Sequence, residues 1–209
     1  SGRIDPLPAA LFGVTLSAAG LAELAIGVNV LSAVLGALSL ALYILVYTPL
    51  KRVTSLATVV GAVPGAIPPL IGWAAASGGL SPGAWVLFAV LFFWQMPHFL
   101  AIAWLYREDY ARGGFPMLPV LEPDGASTGR QAVLYASTLL PVSLALSAVR
   151  VTGGAYFAGA ALCGAVFAGF AAAFALRRHA ASARRLFFAS IVYLPVVLLL
   201  AILDRRPWP

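Results

Sequence analysis

The chain has 209 residues, of which 62% are hydrophobic and only 10% charged, with a formal net charge of +6 at pH 7. Ordinary soluble domains are nearer half apolar and a quarter charged, so this composition, with a mean hydropathy of +0.96, excludes a soluble fold and selects a bundle of membrane spans. The basic excess does not indicate nucleic acid either: it falls in short clusters between apolar runs, with no basic helix or aromatic platform, and orientation in a bilayer explains it.

At about 20 apolar residues per crossing, seven spans are predicted, roughly over 8–27, 29–47, 53–74, 83–105, 131–149, 155–176 and 186–203. Ahead of the first, Ser1-Gly2-Arg3 carries neither an initiator Met nor a signal-peptide pattern, and the chain is expected to be a fragment. The second span runs into "YTPLKRVT" (47–54), which holds Lys51, the only lysine beside twelve arginines. Pro64, Pro68 and Pro69 all fall in the third span. Each removes a backbone donor and crowds the preceding turn, so this span is expected to be kinked or partly unwound. Irregular backbone at membrane depth is tolerated where protein buries it or where it lines a cavity, which makes the clustered prolines a cavity marker. Pro97, Pro141 and Pro195 are milder interruptions.

Small residues recur in "GALSLA", "GAVPGA" and "GAVFAGFAAA" and allow helix backbones to approach closely where lipid removes the usual hydrophobic drive. Cys163, the only cysteine, stands in such a run beside no His, Cys or acid and reads as packing. Neither a repeat length nor a linker divides the chain, so residues 1–209 read as one all-α domain, a polytopic membrane helical bundle. With a cytoplasmic N-terminus, the loops on that side hold Arg3, Lys51, Arg52, Arg107, Arg112, Arg130, Arg177, Arg178, Arg184 and Arg185, ten of the thirteen basic residues. Only Arg150, Arg205 and Arg206 fall on the other side, as the positive-inside rule requires for an odd number of spans.

Polar chemistry gathers in the longest loop, about 106–130, which holds Glu108, Asp109, Glu122 and Asp124, four of the seven acids. This loop shares its side of the membrane with Lys51 and Arg52, so cations and carboxylates are expected to face one another across the mouth of the bundle. In the approach, "FFWQMPHFLAIAWLYRED", spacings of three and four put Trp94, His98, Ala101 or Ile102, Leu105 and Asp109 on one helical face. His98 then lies about 15 Å from Asp109 at 1.5 Å rise per residue, inside the apolar zone. It is either a functional ionisable group or a neutral imidazole bonded to a neighbouring helix. Glu108 and Asp109 are oxygen donors suited to Mg²⁺, or else a solvated helix end with local ion pairs. Lys51 offers a compact charge for phosphate, beside Arg52 and Tyr47. The "RRHAASARR" cluster reads as orientation and contact to anionic membrane lipid.

Two long stretches, "YTPLKRVTSLATVVGAVPGAIPPLIGW" (47–73) and "WQMPHFLAIAWLYREDYARGGFPMLPV" (94–120), resemble the protohaem IX farnesyltransferases, the haem O synthases, within the UbiA superfamily of intramembrane prenyltransferases. The Tyr-x-x-x-Lys-Arg element is common to the superfamily, whereas "GAxPPLIGW" and "PHF…YREDYxxGGxPMLPV" point to the haem-modifying branch. The resemblance implies a nine-helix fold with an Asn/Asp-rich motif after its second helix that binds Mg²⁺ and the prenyl diphosphate. That motif is missing here, so the seven spans are expected to correspond to helices three to nine, and the first two helices to be absent.

The resemblance further implies transfer of a farnesyl group from farnesyl diphosphate to a vinyl group of haem B, giving haem O, in a bacterial cytoplasmic membrane with the active-site mouth on the cytoplasmic side. Haem A synthase or oxidase assembly factors are the implied partners. Lys51, Arg52 and Tyr47 would then be catalytic, the cations stabilising the diphosphate as it departs and Tyr47 bonding it or facing the carbocation. Asp109 and Glu108 would be metal ligands or their support. Tyr106, Arg107 and Arg112 would contact substrate, and His98 the haem, with imidazole a common iron ligand. The competing readings are a UbiA-type enzyme acting on a quinone or other aromatic acceptor, and a non-catalytic membrane remnant or transporter.

Overall fold

Seven helices long and apolar enough to cross a membrane stand among the described residues, 5–206, of the computed structural model. They are α1 (Pro6–Gly27), α2 (Val30–Leu50), α3 (Ala57–Ser77), α4 (Pro82–Leu105), α5 (Ala126–Ala148), α6 (Gly154–Arg177) and α7 (Ala180–Leu203). The orientation charge expected at Arg3 and the opening Ser1-Gly2-Arg3-Ile4 lie outside the described residues. All seven expected spans are present. The fifth and seventh begin earlier than hydropathy suggests, because polar first turns with Ser127 and Arg130, or Ser182 and Arg184, continue the helix past its apolar stretch.

Local chemistry sets the helix ends. Asp5 accepts from Leu7 N–H at 3.1 Å ahead of Pro6, and Asn29 accepts from Ser32 N–H at 2.8 Å. At α7, His179 Nδ1 accepts from Ser182 N–H and Ser182 Oγ accepts from His179 N–H, a reciprocal cap. Gly78, at φ +72°, takes the left-handed conformation that stops α3.

Helices α4, α5, α6 and α7 close into a four-helix ring, its core built from Leu100, Trp104, Leu139, Phe167, Phe174 and Leu186 among others. The small residues act as expected: a Cβ on Gly129 of α5 would stand 2.7 Å from the Ala175 Cα of α6. Against α4 lies a second layer, in which Leu35 of α2, Ile67, Leu70 and Ala74 of α3, and Ala84 of α4 form a smaller core. Helix α1 packs mainly on α2 and has no buried residue.

The proline-bearing α3 breaks at Ile67, between helical segments Ala57–Ala66 and Pro68–Ser77. Pro68 brings no N–H to the Pro64 carbonyl four residues back. Ser39 Oγ of α2 donates to that carbonyl at 3.1 Å. The buried Gln95 of α4 donates Nε2–H to Ala62 O at 2.7 Å, while Ser32 Oγ and Asn29 Nδ2 of α2 donate to Ile71 O and Ala74 O at 3.3 and 2.8 Å. Four side chains on two neighbouring helices therefore hold the irregular backbone at membrane depth.

The connections separate cleanly by end. Arg52 meets Phe115, and Arg178 Nη1 donates to Asp124 O at 3.4 Å, so the turns after α2, α4 and α6 share one end. At the opposite end Thr152 pairs with Arg205, and Asp204 Oδ2 accepts from Tyr156 N–H at 2.7 Å. Gln95→Leu is expected to lower unfolding stability in mixed micelles by about 0.5–1.5 kcal/mol, the net worth of one hydrogen bond to a carbonyl that its own helix also serves; stability equal to wild type would mean that the α3–α4 contact does not depend on this bond.

Candidate active site

The last turns of α2 slip from α- to π-helix over Leu42–Tyr47. Next to Pro49, which has no N–H, the Thr48 N–H reaches back five positions to Tyr43 O, and the Thr48 hydroxyl donates to the same carbonyl at 2.9 Å. The wider turn holds the Tyr43 and Tyr47 rings 5.0 Å apart. Tyr47 lies flat enough on α3 that a Cβ at Gly61 would come within 2.6 Å of its Cδ2. Lys51, one turn on, carries its ammonium 5.8 Å from the centre of the Tyr47 ring. A single chain of contacts thus runs from Gly61 through Tyr47 to Lys51.

Across the same end, α4 stops at Tyr106 (φ −111°, ψ 23°), and a separate short helix, Arg107–Arg112, follows. The single helical face expected from Trp94 to Asp109 is therefore interrupted: Trp94 and His98 share it, but Asp109 belongs to the next helix. Arg107 turns back over the Trp104 ring at 4.7 Å, and Tyr106 is exposed at the break. Asp109 pairs with Arg112, both largely exposed, and this is the one ion pair among the described residues. The turn at Gly114 (φ +70°) then brings Phe115 edge-on to Tyr110, ring centres 6.2 Å apart.

Arg52 closes the gap between the two segments, its guanidinium 5.9 Å from the Phe115 ring. The sequence reading places cations opposite carboxylates; the structure brings the segments together but puts an aromatic ring, rather than an acid, against Arg52. Lys51 and Arg52 consequently have no carboxylate partner among the described residues and keep their charge for an anion. Tyr110 and Phe115 were not singled out from sequence. Their signal is an aromatic on each side of the Gly113-Gly114 pair. Nearby, a cavity of about 230 Å³ between α3, α4 and α5 is lined by Ser55, Thr58, Met96, Leu100, Gln131 and Tyr135 among others. It meets the proline-bearing span only at its start, through Ser55, Leu56, Thr58 and Val59, and not at Pro64, Pro68 or Pro69, where the sequence suggests a cavity; its polar lining from α5 carried no sequence signal.

His98 is not part of the Lys51 cluster. It sits half-buried between α4 and α7, with its ring between Trp94 and Phe187 at 5.2 and 5.0 Å and its Nδ1 2.8 Å from Ser190 Oγ. The neighbouring-helix bond considered for it is present, and Nε2 lies outside that bond. For a divalent metal, the described residues contain no group of three or more His, Cys, Asp or Glu side chains able to hold an ion. Asp109 is engaged by Arg112 and Glu108 is its sequence neighbour, so these two carboxylates do not by themselves make a Mg²⁺ site.

The profile of the UbiA prenyltransferase family matches residues 1–192. A relative from Solibacter usitatus, named protoheme IX farnesyltransferase, is 52% identical over 98% of this chain and 70% of its own length. Relatives of the same name from Myxococcus xanthus and, as the mitochondrial enzyme, from Homo sapiens are 44% and 41% identical over 99% of this chain, which covers 70% and 46% of their lengths. A solved structure from work on digeranylgeranylglyceryl phosphate synthase in membranes superposes with a TM-score of 0.80 over 98% of this chain and 71% of that one; at 17% identity it speaks for the fold.

Gly61→Ala is expected to push the Tyr47 ring off α3 and lower stability by about 1–3 kcal/mol. Gly72→Ala in the same span, where an added Cβ meets nothing within 4 Å, is the control and should leave unfolding in micelles unchanged.

Proposed function

The chain belongs to the UbiA prenyltransferase family, and on that premise we propose that it catalyses the reaction named by its haem-branch relatives, the farnesylation of protohaem IX. The observation that carries this reading is the pair of cations, Lys51 and Arg52, that the π-turn and the Phe115 loop hold at one end of a membrane bundle without a carboxylate partner among the described residues. The names of the relatives favour it over a quinone-type acceptor and over a non-catalytic remnant.

In the reaction, the allylic C–O bond of farnesyl diphosphate breaks and its electron pair leaves with diphosphate. The vinyl π electrons of haem B then form the new C–C bond, and water captures the resulting cation with loss of a proton, giving haem O. Lys51 and Arg52 hold the charge that develops on the leaving diphosphate, and they are worth most where water is scarce. Tyr47, fixed against Gly61, presents its ring beside Lys51 and stabilises positive charge through its face. Arg112, Arg107 and Tyr106 line the same end and bind the diphosphate or the haem propionates. His98 contacts the haem from the α4/α7 seam. Apolar side chains on α3 and α4 exclude water until the capture step.

The family generally depends on a divalent metal, which would neutralise diphosphate charge. Glu108 and Asp109 would offer it two carboxylates, fewer than the three or more ligating side chains of a self-sufficient site among the described residues. Set against a nine-helix family fold, the seven spans correspond to helices three to nine. The protein is a multi-pass membrane protein. We place its basic end in the cytoplasm of a bacterium, from the distribution of arginines, with haem A synthase or an oxidase assembly factor receiving the product.

In the active enzyme, Lys51→Ala and Asp109→Asn are each expected to reduce conversion of haem B and farnesyl diphosphate to haem O by about 10²-fold or more, with membrane insertion intact. Separation of the haems by chromatography measures it. Normal conversion in either variant removes the role given to that residue, and conversion of an aromatic quinone precursor in place of haem would move the enzyme to the sibling branch.

A further inference from the structure

Ser190, on α7, is bonded in three directions. Its hydroxyl proton is committed to the Phe187 carbonyl at 2.5 Å, and its own carbonyl accepts from the Trp94 indole N–H at 2.7 Å. The third contact is the 2.8 Å approach of His98 Nδ1 to Ser190 Oγ. A hydroxyl has one proton. With that proton given to Phe187, Ser190 Oγ can only accept from the imidazole, so the neutral ring carries its proton on Nδ1. The lone pair is then left on Nε2. Trp94 and Phe187 stack on the two faces of the ring, with interplanar angles of 22° and 29°, and fix its plane.

We propose that Ser190 is a positioning residue that sets the His98 tautomer and aims Nε2 at the iron of the bound haem substrate. This rests on the haem reading above and deepens it. An imidazole ligated to a metal commonly donates its other N–H to an oxygen acceptor, which orients the ring and raises its basicity. Here the acceptor is in place before any haem arrives, and it is itself locked by a carbonyl of its own helix. The arrangement differs from a plain interhelical bond in its direction: a hydroxyl free to turn could equally donate to Nδ1, which would put the proton on Nε2 and close that atom to iron. The Trp94 bond to the Ser190 carbonyl adds a second tie between the two helices at the same residue, so the distance from α4 to Ser190 is not set by His98 alone. Substrate recognition is thereby linked to the seam between α4 and α7, apart from the Lys51 cluster that takes the diphosphate.

The test is a titration of the protein in nanodiscs with haemin, followed by the Soret band, and by resonance Raman of the ferrous complex for the iron–histidine stretch. Wild type should show a histidine-ligated spectrum. His98→Ala should lose it and regain it with added imidazole. Ser190→Ala should bind haem about ten-fold or more weakly and move the iron–histidine stretch to lower frequency. Ser190→Thr, which keeps the hydroxyl, should match wild type, and helical circular dichroism should be the same for all.

Loss of the spectrum in His98→Ala together with an unchanged stretch and affinity in Ser190→Ala would overturn the role of Ser190 while leaving the haem contact at His98. An unchanged spectrum in His98→Ala would overturn both that contact and the role of Ser190. A wild-type protein that binds no haem at all would overturn the acceptor reading on which they depend.

Discussion

Every polar backbone group inside a bilayer has to find its partner within the protein, and α3 is where that requirement bears hardest. Its prolines withdraw donors in the middle of a span. Ser39, Gln95, Ser32 and Asn29 reach in from α2 and α4 to serve carbonyls along the broken helix, and in doing so fix how the three helices sit together. The placement of Gly61 follows from that, then the seat of Tyr47 upon it, and then the position of the Lys51 ammonium over the ring. A constraint on hydrogen bonding at membrane depth is transmitted in this way to a charge at the surface.

The two ends of the bundle are built for different purposes. At one end the C-terminal turn is tied down: Asp204 accepts from Tyr156 N–H, its own carbonyl accepts from Gly153 N–H at 3.0 Å, and Thr152 pairs with Arg205. Backbone N–H groups and the Asp204 carboxylate satisfy one another's hydrogen bonds there. The other end collects the cations and long connections, and aromatic rings stand where compensating carboxylates would otherwise be. Arg52 on Phe115 and Arg107 on Trp104 are held by weak, side-on attraction that leaves their N–H groups available.

Most of the architecture was legible in the sequence because it rests on properties of single residues. Apolar length marks a span, proline marks a missing donor, and clustered arginine marks an end. What the sequence left open depends on pairs of residues far apart in the chain. Nothing around Gln95 indicates that it serves Ala62, and Ser190 is 92 residues from the His98 it bonds. The break at Tyr106 separated Asp109 from the face of His98, because uniform spacing cannot reveal where one helix hands over to the next. The π-turn at Leu42–Tyr47 was equally hidden, since an α- and a π-ladder use the same residues and differ only in which carbonyl each N–H selects.

Helix α1 has 22 residues and none of them is buried among the described residues, with α2 as its main neighbour. At 1.5 Å per residue it is about 33 Å long, slightly more than a hydrocarbon layer of about 30 Å. Helices held on several sides have their tilt set by packing, whereas one held on a single side can answer to its surroundings. Leu11, Phe12 and Leu16 on α1 are therefore open to lipid or to further helices, and whichever covers them sets the angle of that helix.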